Sequence, residues 1–160
     1  MEKQTLEGPY VAFATICETF IQESNNILSL IKILDTITVQ GESEEFVPGA
    51  VKFVIAVGFK SGGFVGTKQL SIAAVRPSGE QTALNQQTLA FQNGAAGANL
   101  LLGTLFGVRT AGLHWFDVSL DNTLVSRIPL TILYEQADES RSNRRIPAKQ
   151  KKTSKRRKKM

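Results

Sequence analysis

"GLHWFDVSLDNTLVSRIPLTILY", residues 112–134, alternates apolar and polar positions on both sides of a short polar break. His114, Phe116, Val118 and Leu120 share one parity before the break. Leu124, Ile128, Leu130 and Ile132 share it after the break, with Ser126 as the polar exception. A period of two is what a strand with one buried face requires, and two such runs joined by a few turn-forming residues make an antiparallel hairpin. Even positions oppose even positions only across an odd loop. A three-residue loop of Asp121, Asn122 and Thr123 is therefore expected, pairing Leu120 with Leu124, Phe116 with Ile128 and His114 with Leu130. The same register sets Asp117 opposite Arg127 and Trp115 opposite Pro129 on the outer face. Pro129 has no N–H to give to a ladder and marks an edge or a bulge.

The pattern extends outward through the chain. "YVAFATIC" (10–17), "ILSLIKILDTITV" (27–39), "VKFVIAVGF" (51–59), "TKQLSIAAVRP" (67–77) and "GANLLLGTLFGV" (97–108) are rich in β-branched and aromatic residues, and turn signals such as "KSGG", "RPSGE" and "QNGAAG" lie between them. No stretch shows a sustained apolar period of 3.6, although residues 16–24 allow a short helix in place of a strand extension. Short connections favour antiparallel neighbours. The expected fold is all-β: a single antiparallel β-sandwich of about seven or eight strands over residues 1–136, followed by a disordered basic C-terminal tail over residues 137–160.

A chain of 160 residues fits one domain with a core of its own. The single cysteine, Cys17, has no intramolecular disulfide partner, and the opening Met-Glu-Lys-Gln-Thr lacks the basic and apolar run of a secretory signal. A cytoplasmic protein is expected. Apolar runs are broken by charge or glycine well short of the ~20 residues of a membrane-spanning helix, so no membrane association is expected.

Charge divides the sequence in two. Residues 1–140 carry 8 Lys/Arg against all 14 Asp/Glu, a net charge of −6, whereas the last 20 residues carry the other 11 Lys/Arg and no acid. The cations Arg144, Arg145, Lys149, Lys151, Lys152, Lys155, Arg156, Arg157, Lys158 and Lys159 form the candidate polyanion-binding set. Within residues 144–160, Ile146, Ala148 and Met160 are the apolar residues apart from Pro147, too few to bury a face. Non-specific contact with nucleic acid or another polyanion and a solvated, inert end both fit this composition. No aromatic ring stands among these cations to stack on bases, so nucleic-acid contact through the tail would ignore sequence.

Few residues offer catalytic or metal chemistry. A structural zinc site needs about four Cys/His ligands, and the chain holds Cys17 and His114 alone. Cys17 follows Val11, Phe13 and Thr15 on one strand face, where a cysteine behaves as a small hydrophobe. "GGFVGTK" (62–68) lacks the glycine spacing of a phosphate loop and leads into a strand. Glu42, Glu44 and Glu45 sit in a solvated acidic turn. His114 is expected to be a hydrogen-bonded structural histidine, and Asp117 with Arg127 a cross-strand ion pair. Trp115, on the outer face, needs either cover from its own chain or a partner, and is the candidate partner surface. No catalytic residue, cofactor or metal site is expected, and the chain is not expected to be an enzyme.

"PYVAFATICE" (9–18), "ILSLIKILDTITV" (27–39), "RPSGE" (76–80) and "GLHWFDVSLDNTLVSRIPL" (112–130) resemble a family of small uncharacterised bacterial proteins. The likeness spans about residues 9–134. Members carry an aromatic of the tyrosine type at His114 and a glycine-type turn at Asn122 and Thr123. The resemblance implies a β-sandwich and a bacterial origin, and it implies no activity. The aromatic at position 114 would also make the imidazole dispensable. Two functions follow as expectations: a non-enzymatic module that binds an unidentified protein partner through sandwich loops or an edge strand, or a nucleic-acid-associated accessory protein anchored by its tail.

Overall fold

The computed structural model describes residues 7–25, 27–92 and 97–137, and the basic tail lies outside them. Strands dominate: β1 (Tyr10–Gln22), β2 (Leu28–Ile33), β3 (Thr36–Gly41), β4 (Gly49–Lys60), β5 (Gly66–Val75), β6 (Gln81–Phe91), β7 (Gly97–Val108), β8 (Gly112–Leu120) and β9 (Thr123–Gln136). They form a four-stranded sheet in the order β2-β1-β4-β7 and a five-stranded sheet in the order β3-β9-β8-β5-β6. Among the described residues no helix is long and apolar enough to cross a membrane.

One core joins the sheets. Phe53 of β4 meets Phe116 of β8 edge-on at 5.4 Å between ring centroids, and Phe106 of β7 lies 5.4 Å from Phe116. Around this triangle Ile16, Ile55, Leu70, Ile72, Leu130 and Ile132 are fully buried. Burial of a side chain of this size stabilises the fold by about 1.5–3 kcal/mol. β4 is buried on both faces from Phe53 to Phe59. Its outward residue Gly58 lies under the Phe13 ring, which occupies the space a Cβ would need.

The hairpin of residues 112–134 keeps its expected register over most of its length. His114 pairs with Leu130, Trp115 with Pro129, Phe116 with Ile128 and Asp117 with Arg127. Its turn differs from expectation. Asp121 and Asn122 both adopt positive φ, +46° and +65°, so two residues close the hairpin and Leu120 pairs with Thr123. A bulge after Val118 then restores the parity that a three-residue loop would have set. Leu124, expected inside, is 52% exposed as a result. The turn is held from outside the hairpin: Gln69 N–H donates to Asp121 Oδ1 at 2.9 Å, and Lys68 Nζ lies 2.8 Å from Oδ2.

Residues 16–24 take the strand extension and not the alternative short helix, since β1 continues to Gln22. Three further expectations are corrected. Residues 27–39 form two strands in different sheets: Lys32 takes a φ of +54°, Leu34 N–H donates to Ile16 of β1, and the carbonyl of Asp35 accepts from Thr131 of β9. β6 is an additional strand, which brings the described total to nine. The sheets are not purely antiparallel, because β3 runs parallel to β9, Thr36 beside Thr131 through Gly41 beside Gln136. Thr131 N–H points to the β3 side, and by alternation so does the nitrogen of Pro129, which lies before β3 begins. Pro129 therefore occupies a local edge.

Candidate interaction surface

His114 projects into the core and is fully buried. Nδ1 lies 3.0 Å from the Gly112 carbonyl, which can only accept, so Nδ1 carries the proton. Nε2 has no hydrogen-bond partner among the described residues. The ring meets Phe106 edge-on at 5.6 Å, and the Arg76 guanidinium lies over the same phenyl ring at 4.9 Å. Burial holds the imidazole pKa below its ordinary value, the Gly112 hydrogen bond opposes that shift, and the Arg76 charge adds to it. A neutral imidazole against a phenyl ring is a packing element.

The outer-face residues sit where the hairpin register puts them. Arg127 makes a two-pronged ion pair with Asp117, Nε to Oδ1 at 2.7 Å and Nη2 to Oδ2 at 2.9 Å, which raises the guanidinium pKa further. The same guanidinium lies 5.5 Å from the centroid of the Trp115 ring. Trp115 is half-buried. Part of its cover thus comes from Arg127 on the neighbouring strand. Cys17 is fully buried in β1, and burial pushes its thiol pKa up, against a smaller opposing effect from the Ile31 backbone. Its thiol is held protonated and inert. The candidate polyanion-binding cations from Arg144 to Lys159 lie outside the described residues.

An open side of the molecule is more distinctive. β6 and β7 are the last strands of their sheets, they contact one another, and neither is hydrogen-bonded to a further strand among the described residues. β7 spans 12 residues and β6 spans 11, without a charged residue or a proline in either. Sheet edges of this length are ordinarily blunted by lysine, proline or a bulge; β6 has a bulge at Leu84, and β7 pairs with β4 without one. The opposite edges, β2 and β3, are 6 residues each.

Backbone direction along β7 follows from the ladder. Ile16 turns its carbonyl to Leu34, so Cys17 faces β4 and its partner Val54 faces β1, which leaves Gly103, opposite Val54, facing away from β4. Arg76 Nη1 donates to the carbonyl of Gly107, of the same parity, at 2.8 Å. In an antiparallel strand the N–H and C=O of one residue point the same way and alternate along the chain. Asn99, Leu101, Gly103 and Leu105 therefore aim their backbone groups at the open edge, while the even residues bond β4. The side chains of these odd positions lie on the outer face, where Leu105 is 76% exposed. Arg76 itself is anchored by Glu80, which Arg109 also approaches at 3.3 Å. A charged clamp thus closes the edge at Gly107 and leaves residues 99–105 open. The sequence identifies the strand but not its place at the edge, because order within a sheet leaves no local signature.

No protein-family model and no curated protein matches the chain. Solved structures that it resembles include the alkylpurine DNA glycosylase of Pseudomonas fluorescens, bound to DNA containing an abasic site analogue, with a TM-score of 0.39 and 9% identity over 75% of this chain. The chain spans 30% of the length of that glycosylase chain. An immunoglobulin-like protein from Pseudomonas aeruginosa is similar with a TM-score of 0.34 and 11% identity, over 76% of this chain and 97% of the other.

Proposed function

We propose that the protein is a non-enzymatic interaction module, a two-sheet β-sandwich that binds a protein segment by taking it as an added strand along β7. The observation that carries this reading is the open, uncharged β7 edge, with the backbone groups of Asn99, Leu101, Gly103 and Leu105 turned outward. Backbone pairing along such an edge supplies affinity, and the flanking Leu101 and Leu105 side chains favour an apolar guest. Trp115 is the weaker candidate surface, since Arg127 lies across it. A reducing cytoplasm suits a protein with one cysteine and no disulfide. A second reading, non-specific anchoring to nucleic acid through the tail, is favoured by the 11 cations of residues 141–160.

Peptides selected for binding from a random library test strand addition. Bound peptides should slow amide exchange at Asn99, Leu101, Gly103 and Leu105, and Leu105→Lys should weaken binding at least tenfold. Protection confined to another surface, or no loss of binding with Leu105→Lys, would overturn the proposal.

A further inference from the structure

Resting on the strand-addition reading, we infer that the occupant of the β7 edge is β7 of a second copy of this chain, paired antiparallel about a two-fold axis at Gly103. The sequence from Leu100 to Phe106 is Leu-Leu-Leu-Gly-Thr-Leu-Phe, nearly symmetric about Gly103. A two-fold pairing there sets Gly103 against Gly103 of the second copy, Leu101 against its Leu105, Leu102 against its Thr104 and Leu100 against its Phe106. Each odd residue turns its N–H and C=O to the open edge, so the pairs formed by residues 101, 103 and 105 each exchange two hydrogen bonds, about six in all. Isologous contact requires a surface complementary to itself, and this edge meets that requirement in backbone and side chain alike.

Register and charge select this axis. Slipping the register by one residue, which puts the axis between two residues, pairs the outward-pointing backbone groups of one copy with the β4-directed groups of the other, which forms no ladder. Moving the axis to Leu102 sets Leu101 against Gly103 and Leu105 against Asn99, and the leucine pairs are lost. With the axis at Gly103, a row on the outer face runs from Lys52 of β4 through Leu105 to Leu101 and Ala56 of the second copy, so no like charges meet. The neighbouring β6 edge also carries no charge to oppose its own copy. Seven paired residues extend about 24 Å along the edge of sheets ~10 Å apart, giving a buried area on the order of 1,000 Å². That area is the lower end for a specific interface and fits a reversible dimer. The Arg76 contact on the Gly107 carbonyl ends the ladder on each side.

Cysteine cross-linking reads the register directly in the full chain. At Gly103 a Cβ meets nothing within 4 Å and the φ is not in the left-handed region, so Gly103→Cys is accommodated. Its sulfurs face one another across the axis, with Cα atoms about 5.5 Å apart, within disulfide range. Under mild oxidation Gly103→Cys should give a covalent dimer at least tenfold faster than Ser78→Cys on an exposed turn. Leu101→Cys and Leu105→Cys should each cross-link slowly alone and rapidly when mixed. Sedimentation of the unmodified protein should show a concentration-dependent dimer that Leu105→Lys weakens at least tenfold, while its unfolding transition stays in place. A monomer at all concentrations, or a dimer that survives Leu105→Lys with no enhanced cross-linking at position 103, overturns the two-fold pairing. Peptide-induced protection of the β7 amides in such a monomer would leave the strand-addition reading standing, and its absence would remove both.

Discussion

His114 couples the core to pH because its imidazole is buried neutral, with Nδ1 spent on Gly112, Nε2 without a hydrogen-bond partner among the described residues, and the Arg76 charge opposing protonation. Its folded pKa lies below the unfolded value of about 6.5. Below that pH the unfolded chain takes up a proton that the folded chain refuses. The stability contribution is fully present above about pH 6.5 and is lost progressively as pH falls toward the folded pKa, at no more than about 1.4 kcal/mol per pH unit. Urea unfolding across this range should show the loss, and His114→Leu should flatten it. An unchanged slope in that variant would assign the pH dependence to other groups. The burial of His114 was legible in the sequence from the alternation with Phe116, Val118 and Leu120. The Arg76 guanidinium was not, since it arrives from the distant end of β5 and contacts the Phe106 ring, not the imidazole's own strand.

At the level of the element, the β8–β9 turn concentrates the conformational cost of the hairpin in Asp121 and Asn122. Their φ angles of +46° and +65° are those of a turn that matches strand twist and suits Asn, Asp and Gly. Asn122→Val should destabilise the protein by about 1–2 kcal/mol, the cost of a left-handed conformation for a branched residue, whereas Asn122→Gly should not. Thermal unfolding of the two variants distinguishes this from a simple loss of side-chain contact, which would affect both alike. The hairpin partners were legible because strict alternation fixes parity, and parity survives a compensating bulge. The turn length was not, since two residues plus a bulge and three residues without one preserve the same facing pairs. β6 escaped notice because Gln81–Phe91 is rich in glutamine, asparagine and threonine, as an edge strand with one polar face can be. The crossing at Leu34–Asp35 was hidden for a different reason: apolar alternation continues on both sides of it while the hydrogen-bond partners change sheets.

For the whole molecule, charge separates what the β-rich region and the tail can do. A net charge of −6 in residues 1–140 repels phosphate, so contact with a polyanion should be confined to residues 141–160. If about six phosphates are neutralised, log K should fall with log salt at a slope of about −5, with little difference between duplexes of equal length. Removing residues 141–160 should abolish that binding, and equal binding by the shortened chain would refute the anchor. Dimerisation through β7 should be indifferent to the same truncation, so the two activities separate experimentally. The parallel pairing of β3 with β9 acts on a different timescale, that of synthesis. β3 is made early, yet its one sheet partner among the described residues is β9, made six strands later, so Thr36–Gly41 must wait with both edges bare until Thr131–Gln136 emerges. Completion of the five-stranded sheet is thereby tied to the synthesis of β9, and a nascent chain arrested before β9 exposes a second adhesive edge that the folded sheet conceals.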